Sequence, residues 1–471
     1  MKRILVVPIA CVALSAACTA AKGNDTPRAA APGAAGLSGI WKSDGYGFAF
    51  TATGDTLRAY EVTSTTCVPS FAAIRRSTQS PGVEATYERD GDVYLVIGTS
   101  DSVVKRIHND GAASDIVVRR IPALPAPCGP PTADTPIGNF DVFAQTWAEH
   151  YILFDQQHAD WPAIVAKARA NVTAATTPEE LYRVLTGMIA PFENAHTMLQ
   201  ASSIKQSFGT FRHGTFRVVK HPMPEFRAKD LPRLLAPANR QVRGALRMFC
   251  NDQLQYGHLD DSTGYLRILS ENGYTTDGGF RAGLAALEAA LDTVFTDPKL
   301  SGLVIDVRIN FGGADPYGLA LASRLATTEY VAYSKEARAD PVDHSVWTPG
   351  QASVVRPSAR PGFRGAVVEL IGPMTISAGE TTTQALMGRQ PRVLRIGENT
   401  QGVFSDVLGR RMPNGWMFGL PNEVFRAADG RIFDGSGIPP DIEVPVFADA
   451  DFATGRDAAL TRAVAELHRG R

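Results

Sequence analysis

The sequence predicts an α/β core of βαβ units, preceded by a helical subdomain and a small N-terminal all-β domain. Three observations carry this. Beyond residue 263, buried strand-like runs alternate with helical apolar stripes. Between 139 and 200, apolar residues recur at helical spacing. Between 37 and 123, short alternating runs are separated by Gly, Asp and Asn turns.

The chain starts MKRILVVPIACVALSAACTAA, with two early basic residues, an apolar run from Ile4 to Leu14 and then small residues. This is the pattern of a secretory signal peptide over 1–18, and the apolar run is too short to span a membrane. Cys18 after Ser15, Ala16 and Ala17 resembles a bacterial lipobox, with Leu14 one place further from the cysteine than usual. Lipidation of Cys18 is expected, with cleavage near Ala17 or Ala20 as the alternative. Either places the protein in the cell envelope (periplasm or outer membrane) or outside the cell, and Thr19 is compatible with outer-membrane sorting. Residues 19–36, rich in Ala, Gly and Pro, read as a flexible tether.

In 37–123, the runs YGFAFTAT, TLRAYEVTST, VEATYERD, DVYLVIGT and DIVVRRI have strand spacing and suggest a small antiparallel sheet or barrel. A Pro-rich segment at 124–138 marks a boundary. In 139–200, Phe143, Trp147, Tyr151 and Phe154 form one helical stripe, and Thr177 with Glu180 predicts a capping box. Segment 201–262, irregular and proline-containing, reads as a β subdomain. The core, 263–446, contains GYLRIL, GLVIDVR, GAVVELIG and RVLRIG as strands. Phe280, Leu284, Leu287, Leu291 and Phe295 mark a helix between the first two. A C-terminal helix is expected in 447–471.

The chain has 471 residues, 44% hydrophobic and 20% charged, with a formal net charge of −1. That excludes disorder, and no basic cluster with interleaved aromatics points to nucleic acid. Of five cysteines, Cys11 and Cys18 belong to the leader. Cys67 and Cys128 are expected to form a disulfide in an oxidising compartment, and Cys250 to be a buried thiol. No spacing resembles a zinc site, and no metal or cofactor is implied.

Four segments carry chemistry. In 306-DVRINFGG-313 a strand runs into two glycines, which can turn backbone N–H groups into a cleft. In 371-IGPMTISAGETTTQAL-386 Ser377 follows a strand and opens a helix. That position suits a nucleophile, and equally an ordinary N-cap with Glu380 completing a capping box. The others are 397-GENTQG-402 and 434-DGSGIPPDIEV-444.

In this order, the four segments resemble the family of the C-terminal-processing (tail-specific) proteases, the tricorn protease core and the interphotoreceptor retinoid-binding protein repeats. The resemblance runs from GYLRI at 264 to PDIEV at 444 and extends weakly back to 139–200. It implies a ClpP/crotonase-like core and serine peptidase chemistry on peptide or protein substrates. Tail-specific members place a lysine base after G-E-x-T-x-G; here that position is Val403, and no lysine follows Lys335. The tricorn-like branch uses Ser, His and a carboxylate. The resemblance then implies Ser377 as nucleophile, His196 in ENAHT as base, and Asp434 as the acid. It implies Ala378 with Gly312 or Gly313 as oxyanion donors. Glu380 is expected to cap backbone N–H groups and leave the Ser377 hydroxyl free.

This chain departs from the pattern in two places. Asn194 and Ala195 replace the usual Asp-Gly before the histidine, and Asp434 stands where Glu is common. Only about 60 residues separate His196 from the core, too few for the family's PDZ domain, and GYGFAF at 45–50 does not supply its carboxylate-gripping loop. Two other readings remain open at this point: a catalytically silent ligand-binding protein of the same fold, and a hydrolase of small esters.

Overall fold

The structure is a computed structural model, and it describes residues 37–77, 81–211, 219, 221 and 225–469. The predicted leader, the tether and Cys18 lie outside these residues.

Eight antiparallel strands, from Gly39–Ser43 to Ile116–Ile121, close into a barrel, with the last strand paired to the first. Each strand is short and alternates inward apolar residues with outward polar ones, so closure leaves no open edge. Trp41, Phe50, Leu57, Tyr87, Val96 and Val118 fill the interior. A Cys67–Cys128 disulfide ties the barrel strand Cys67–Arg76 to the turn Ala126–Cys128 that leads into the helices.

Three helices follow: Pro136–His150, Trp161–Arg169 and Pro178–Ile189. Each begins with a Thr or Asp whose side chain accepts a backbone N–H, followed by a residue pair containing proline. The Thr177–Glu180 capping box forms. Phe143, Trp147, Tyr151, Phe154, Trp161 and Phe192 pack as one aromatic cluster. Phe143 also meets Phe418 at 4.9 Å, and strand Met417–Pro421 pairs with Met198–Ala201. The segment carrying His196 is therefore fastened at both sides, to the helices and to the core.

Within 201–262 the reading as β alone does not match what is observed. Residues Leu231–Gln241 form a helix, and among the described residues only Arg243–Phe249 and Leu254–His258 are long strands. Pro232 sits in the first turn, where a missing N–H costs nothing, and Pro237 lies inside the helix. Prolines that argue against a helix in sequence are here absorbed by position and by burial of Leu234 and Ala238.

The central sheet has seven strands, in spatial order Arg243–Phe249, Leu254–His258, Thr263–Ile268, Gly302–Asp306, Ala366–Ile371, Leu394–Gly397 and Ile442–Glu443. From the third strand onward the pairing is parallel. Helices cover both faces, so strand Gly302–Asp306 is buried throughout. Leu303 and Ile305 face helices Gly279–Phe295, Asp315–Leu325 and Ala378–Leu386, whereas Val304 faces the C-terminal helix Ala458–Arg469. Loops at the C-terminal strand ends gather the four motif segments.

Candidate active site

The turn after strand Gly302–Asp306 is built by Asn310. Its Oδ1 accepts the Gly312 N–H at 2.8 Å, while its Nδ2 donates to Glu271 Oε1 at 2.9 Å and to the Ile268 carbonyl. Residues Ile309–Asn310 pair in parallel with Met374–Thr375, and the Ile376 N–H reaches the Asn310 carbonyl at 3.1 Å. This short ladder brings the Gly-Gly turn against Ser377. A Cβ on Gly312 would lie 2.7 Å from the Ser377 Cβ, and one on Gly379 would lie 2.8 Å from Asn310. The small residues of both motifs are thus required by close approach.

Ser377 has φ 56° and ψ −121°, a conformation strained for a residue with a side chain. It is partly exposed, at the start of helix Ala378–Leu386. Glu380 folds back beneath it. Its Oε1 accepts the Gly402 N–H at 2.6 Å, and its Oε2 accepts Val403 N–H at 2.7 Å and Ser377 N–H at 3.4 Å. The Glu380 N–H itself goes to the Ser377 carbonyl at 2.7 Å. Glu380 therefore caps backbone groups as expected and closes a capping box with Ser377, whose side chain faces the Glu380 N–H without a full cap hydrogen bond. Among the described residues, the N–H groups of Ala378 and Gly313 have no acceptor, whereas that of Gly312 is taken by Asn310. Of the two glycines named as alternatives, Gly313 is the one with a free donor.

His196 is buried, and its backbone N–H is held by Asn194 Oδ1 at 2.8 Å. The Asn-Ala variant of the loop thus still fixes the histidine's backbone. Ala195 and Ile376, the neighbours of His196 and Ser377, pack in one small cluster with Phe211 and Val403. Val403 fills apolar space in that cluster. Burial lowers the His196 pKa to about 4, and the Asp406 carboxylate and Ser405 backbone oppose that. Its Nδ1 has no partner.

Asp434 is also buried. It accepts the Phe404 N–H at 3.1 Å and is favoured by the Ser405 backbone N–H, yet burial pushes its carboxyl up to about 7. Its Oδ2 has no partner either. Among the described residues no hydrogen bond joins Asp434 to His196, or His196 to Ser377. Both instead meet the backbone of 404–405.

Sequence reasoning did not foresee the ionic group next to His196. Asp406 keeps 49% of its side chain open to solvent while its carboxylate pairs inward with Lys335. Lys335, fully buried, pairs with Asp406 and, at 3.4 Å, with Glu423. One signal was available: in strand Tyr330–Ala337, Tyr333, Lys335 and Ala337 alternate inward, and a charge in that register demands a buried partner.

Residues 262–444 match Peptidase family S41. No curated protein matches the chain significantly. Among solved structures, a protein from Parabacteroides merdae ATCC 43184 described as a candidate peptidase is similar. Its TM-score is 0.58 at 21% identity, over 71% of this chain and 97% of that one. Mature CPAF, solved with lactacystin, is similar with a TM-score of 0.51 at 12% identity, over 72% of this chain and 99% of that one. These two likenesses bear on fold. The family match covers the four motif segments in order, and on it residues 262–444 are a peptidase family S41 domain, the core of a serine peptidase.

Proposed function

We propose that this is an exported serine peptidase that hydrolyses peptide bonds with Ser377 as nucleophile, His196 as base and Asp434 as the acid behind it. The observation that carries the reading is the Ser377 turn. A strained serine stands at a strand-to-helix junction, with the unpaired Ala378 and Gly313 N–H groups beside it. An ordinary N-cap serine needs neither the positive φ nor a glycine turn pressed against its Cβ.

In this mechanism Ser377 Oγ attacks the scissile carbonyl carbon as its proton passes to His196. The carbonyl electrons move to oxygen, which the Ala378 and Gly313 N–H groups receive. Collapse breaks the C–N bond, and His196 returns the proton to the leaving amine. Water then repeats the sequence to free the acid product and restore Ser377.

Burial favours the neutral forms of His196 and Asp434 by moving their pKa values in opposite directions. Contact between the unpaired Nδ1 and Oδ2 would reverse both shifts, so completing the triad requires the 404–405 backbone to release Asp434 when substrate binds. The segment between His196 and the core supports a peptidase without a PDZ domain. Export rests on the leader, with Cys18 as the lipid anchor to a membrane.

The test is labelling of the leaderless protein with a fluorophosphonate probe. Wild type is expected to label, Ser377→Ala and His196→Ala to lose labelling, and Asp434→Asn to retain a slow residue of it. A folded wild type that does not label overturns the reading in favour of a ligand-binding protein.

A further inference from the structure

The N-terminal barrel lies outside the family match, yet it reaches the polar group next to His196. The hairpin between strands Gly39–Ser43 and Phe48–Thr53 carries Gly45, Tyr46 and Gly47, all with positive φ. The two glycines permit contact with the rest of the molecule. A Cβ on Gly45 would lie 2.7 Å from the Arg338 carbonyl, and one on Gly47 would lie 2.5 Å from His150 Nε2. Between them Tyr46 is driven inward. Its hydroxyl donates to Glu423 Oε1 at 2.6 Å, and the Arg410 guanidinium holds its carbonyl. A non-glycine residue with positive φ is strained, and this one is fastened at both its side chain and its backbone.

Glu423 in turn shares Lys335 with Asp406. Asp406 directly follows Ser405, whose backbone meets both His196 and Asp434 and whose Oγ accepts the Asn422 and Glu423 N–H groups at 2.8 and 3.0 Å. One continuous chain of contacts therefore runs from the barrel to the base.

We propose that the barrel is a working part of the active site: Tyr46, through Glu423 and Lys335, positions Asp406, whose carboxylate sets the charge around His196. The proposal rests on His196 as the base. Tyr46, Glu423, Lys335 and Asp406 are positioning residues, since none of them is placed on the reacting atoms. The groups that face Asp406 are Lys335 and Tyr333 from one strand, Glu423 from the next, Asp315 from a helix start, Tyr46 from the barrel and His196 itself. The direction follows from sharing. While Tyr46 stabilises charged Glu423, Lys335 is divided between two carboxylates and Asp406 keeps part of its negative field on His196. Without the hydroxyl, Glu423 takes up a proton more readily and Lys335 screens Asp406.

The experiment is a titration of His196 by NMR in protein labelled at histidine Cε1, with the signal assigned by its loss in His196→Gln. Asp406→Asn is expected to lower the His196 midpoint by about one unit. Tyr46→Phe should lower it by a smaller amount, and Asp429→Asn, an exposed acid paired with Arg431, should not move it. An unmoved midpoint in Tyr46→Phe, or in Asp406→Asn, at a melting temperature like wild type overturns the proposal. If Asp406→Asn does not fold, Tyr46→Phe alone decides. The readout needs no catalysis. A midpoint that moves in a protein that never labels with fluorophosphonate would retain the coupling and sink the peptidase reading.

Discussion

Gly312 is the glycine pressed directly against Ser377. Its φ is 72°, and a methyl there would meet the Ser377 Cβ and the Ile376 carbonyl, both inside 3 Å. Gly312→Ala should displace the nucleophile by a fraction of an ångström and slow fluorophosphonate labelling roughly 100-fold, with a smaller loss of melting temperature. Equal losses of stability and labelling would deny that geometry a catalytic part. Glu380 tests the other side of the serine. It satisfies three N–H groups, and glutamine would turn an amide N–H₂ toward one of them. Glu380→Gln is expected to cost about 1–3 kcal/mol in denaturant unfolding, from one buried donor left unpaired. At this scale Ser377 and the two glycines were legible because a serine between strand and helix, and a glycine pair after a strand, are local patterns. The part Asn310 plays was not legible, because its partners, Glu271 and the Ile268 carbonyl, come from another strand and its end.

Two cross-links hold elements in place. The Cys67–Cys128 bridge spans 61 residues and joins the barrel to the segment before the first helix. Replacing both cysteines by alanine should remove about 4 kcal/mol of chain-entropy stabilisation, read as a lower barrel unfolding midpoint that reductant also produces in wild type. In the core, buried Arg308 lies between Asp306 and Asp457, and Asp457 caps the C-terminal helix through the Leu460 N–H. Arg308→Leu would strand two buried carboxylates and is expected to cost about 3–5 kcal/mol. An unchanged urea midpoint would show that the C-terminal helix docks without this pair. Strands and amphipathic helices were readable from their periods. The helix Leu231–Gln241 was not, because Pro232 obeys a helix-position rule that a composition reading cannot apply and Pro237 is tolerated inside the helix only where its neighbours Leu234 and Ala238 are buried.

The whole molecule carries an unusual load of buried acids. Burial pushes Glu271, Glu369 and Asp434 up to about 7 and Glu380 to about 8. A carboxyl whose pKa is raised by folding binds its proton more tightly in the native state. Its favourable contribution is complete below the unfolded value and is lost as pH rises through the folded one. Buried His150 and His196 act oppositely, losing stability as pH falls below their unfolded value of about 6.5. Between pH 8 and about 6.5 the acids dominate, so the melting temperature should rise as pH is lowered across that window. A flat or falling profile would mean that the hydrogen bonds to these carboxyls outweigh their burial.

The sequence by itself determined the order and type of the main elements, the nucleophile's strand-to-helix turn and the family of the core, because period, cap and glycine position act within a few residues. Tertiary structure alone decided which donor at the Gly-Gly turn is free, that Asp406 pairs with Lys335, and that Tyr46 of the barrel reaches Glu423. Each of these depends on burial and on partners far apart in the chain: Tyr46 and Glu423 are separated by 377 positions. Desolvation and long-range pairing set those charges, and neither leaves a local pattern to read.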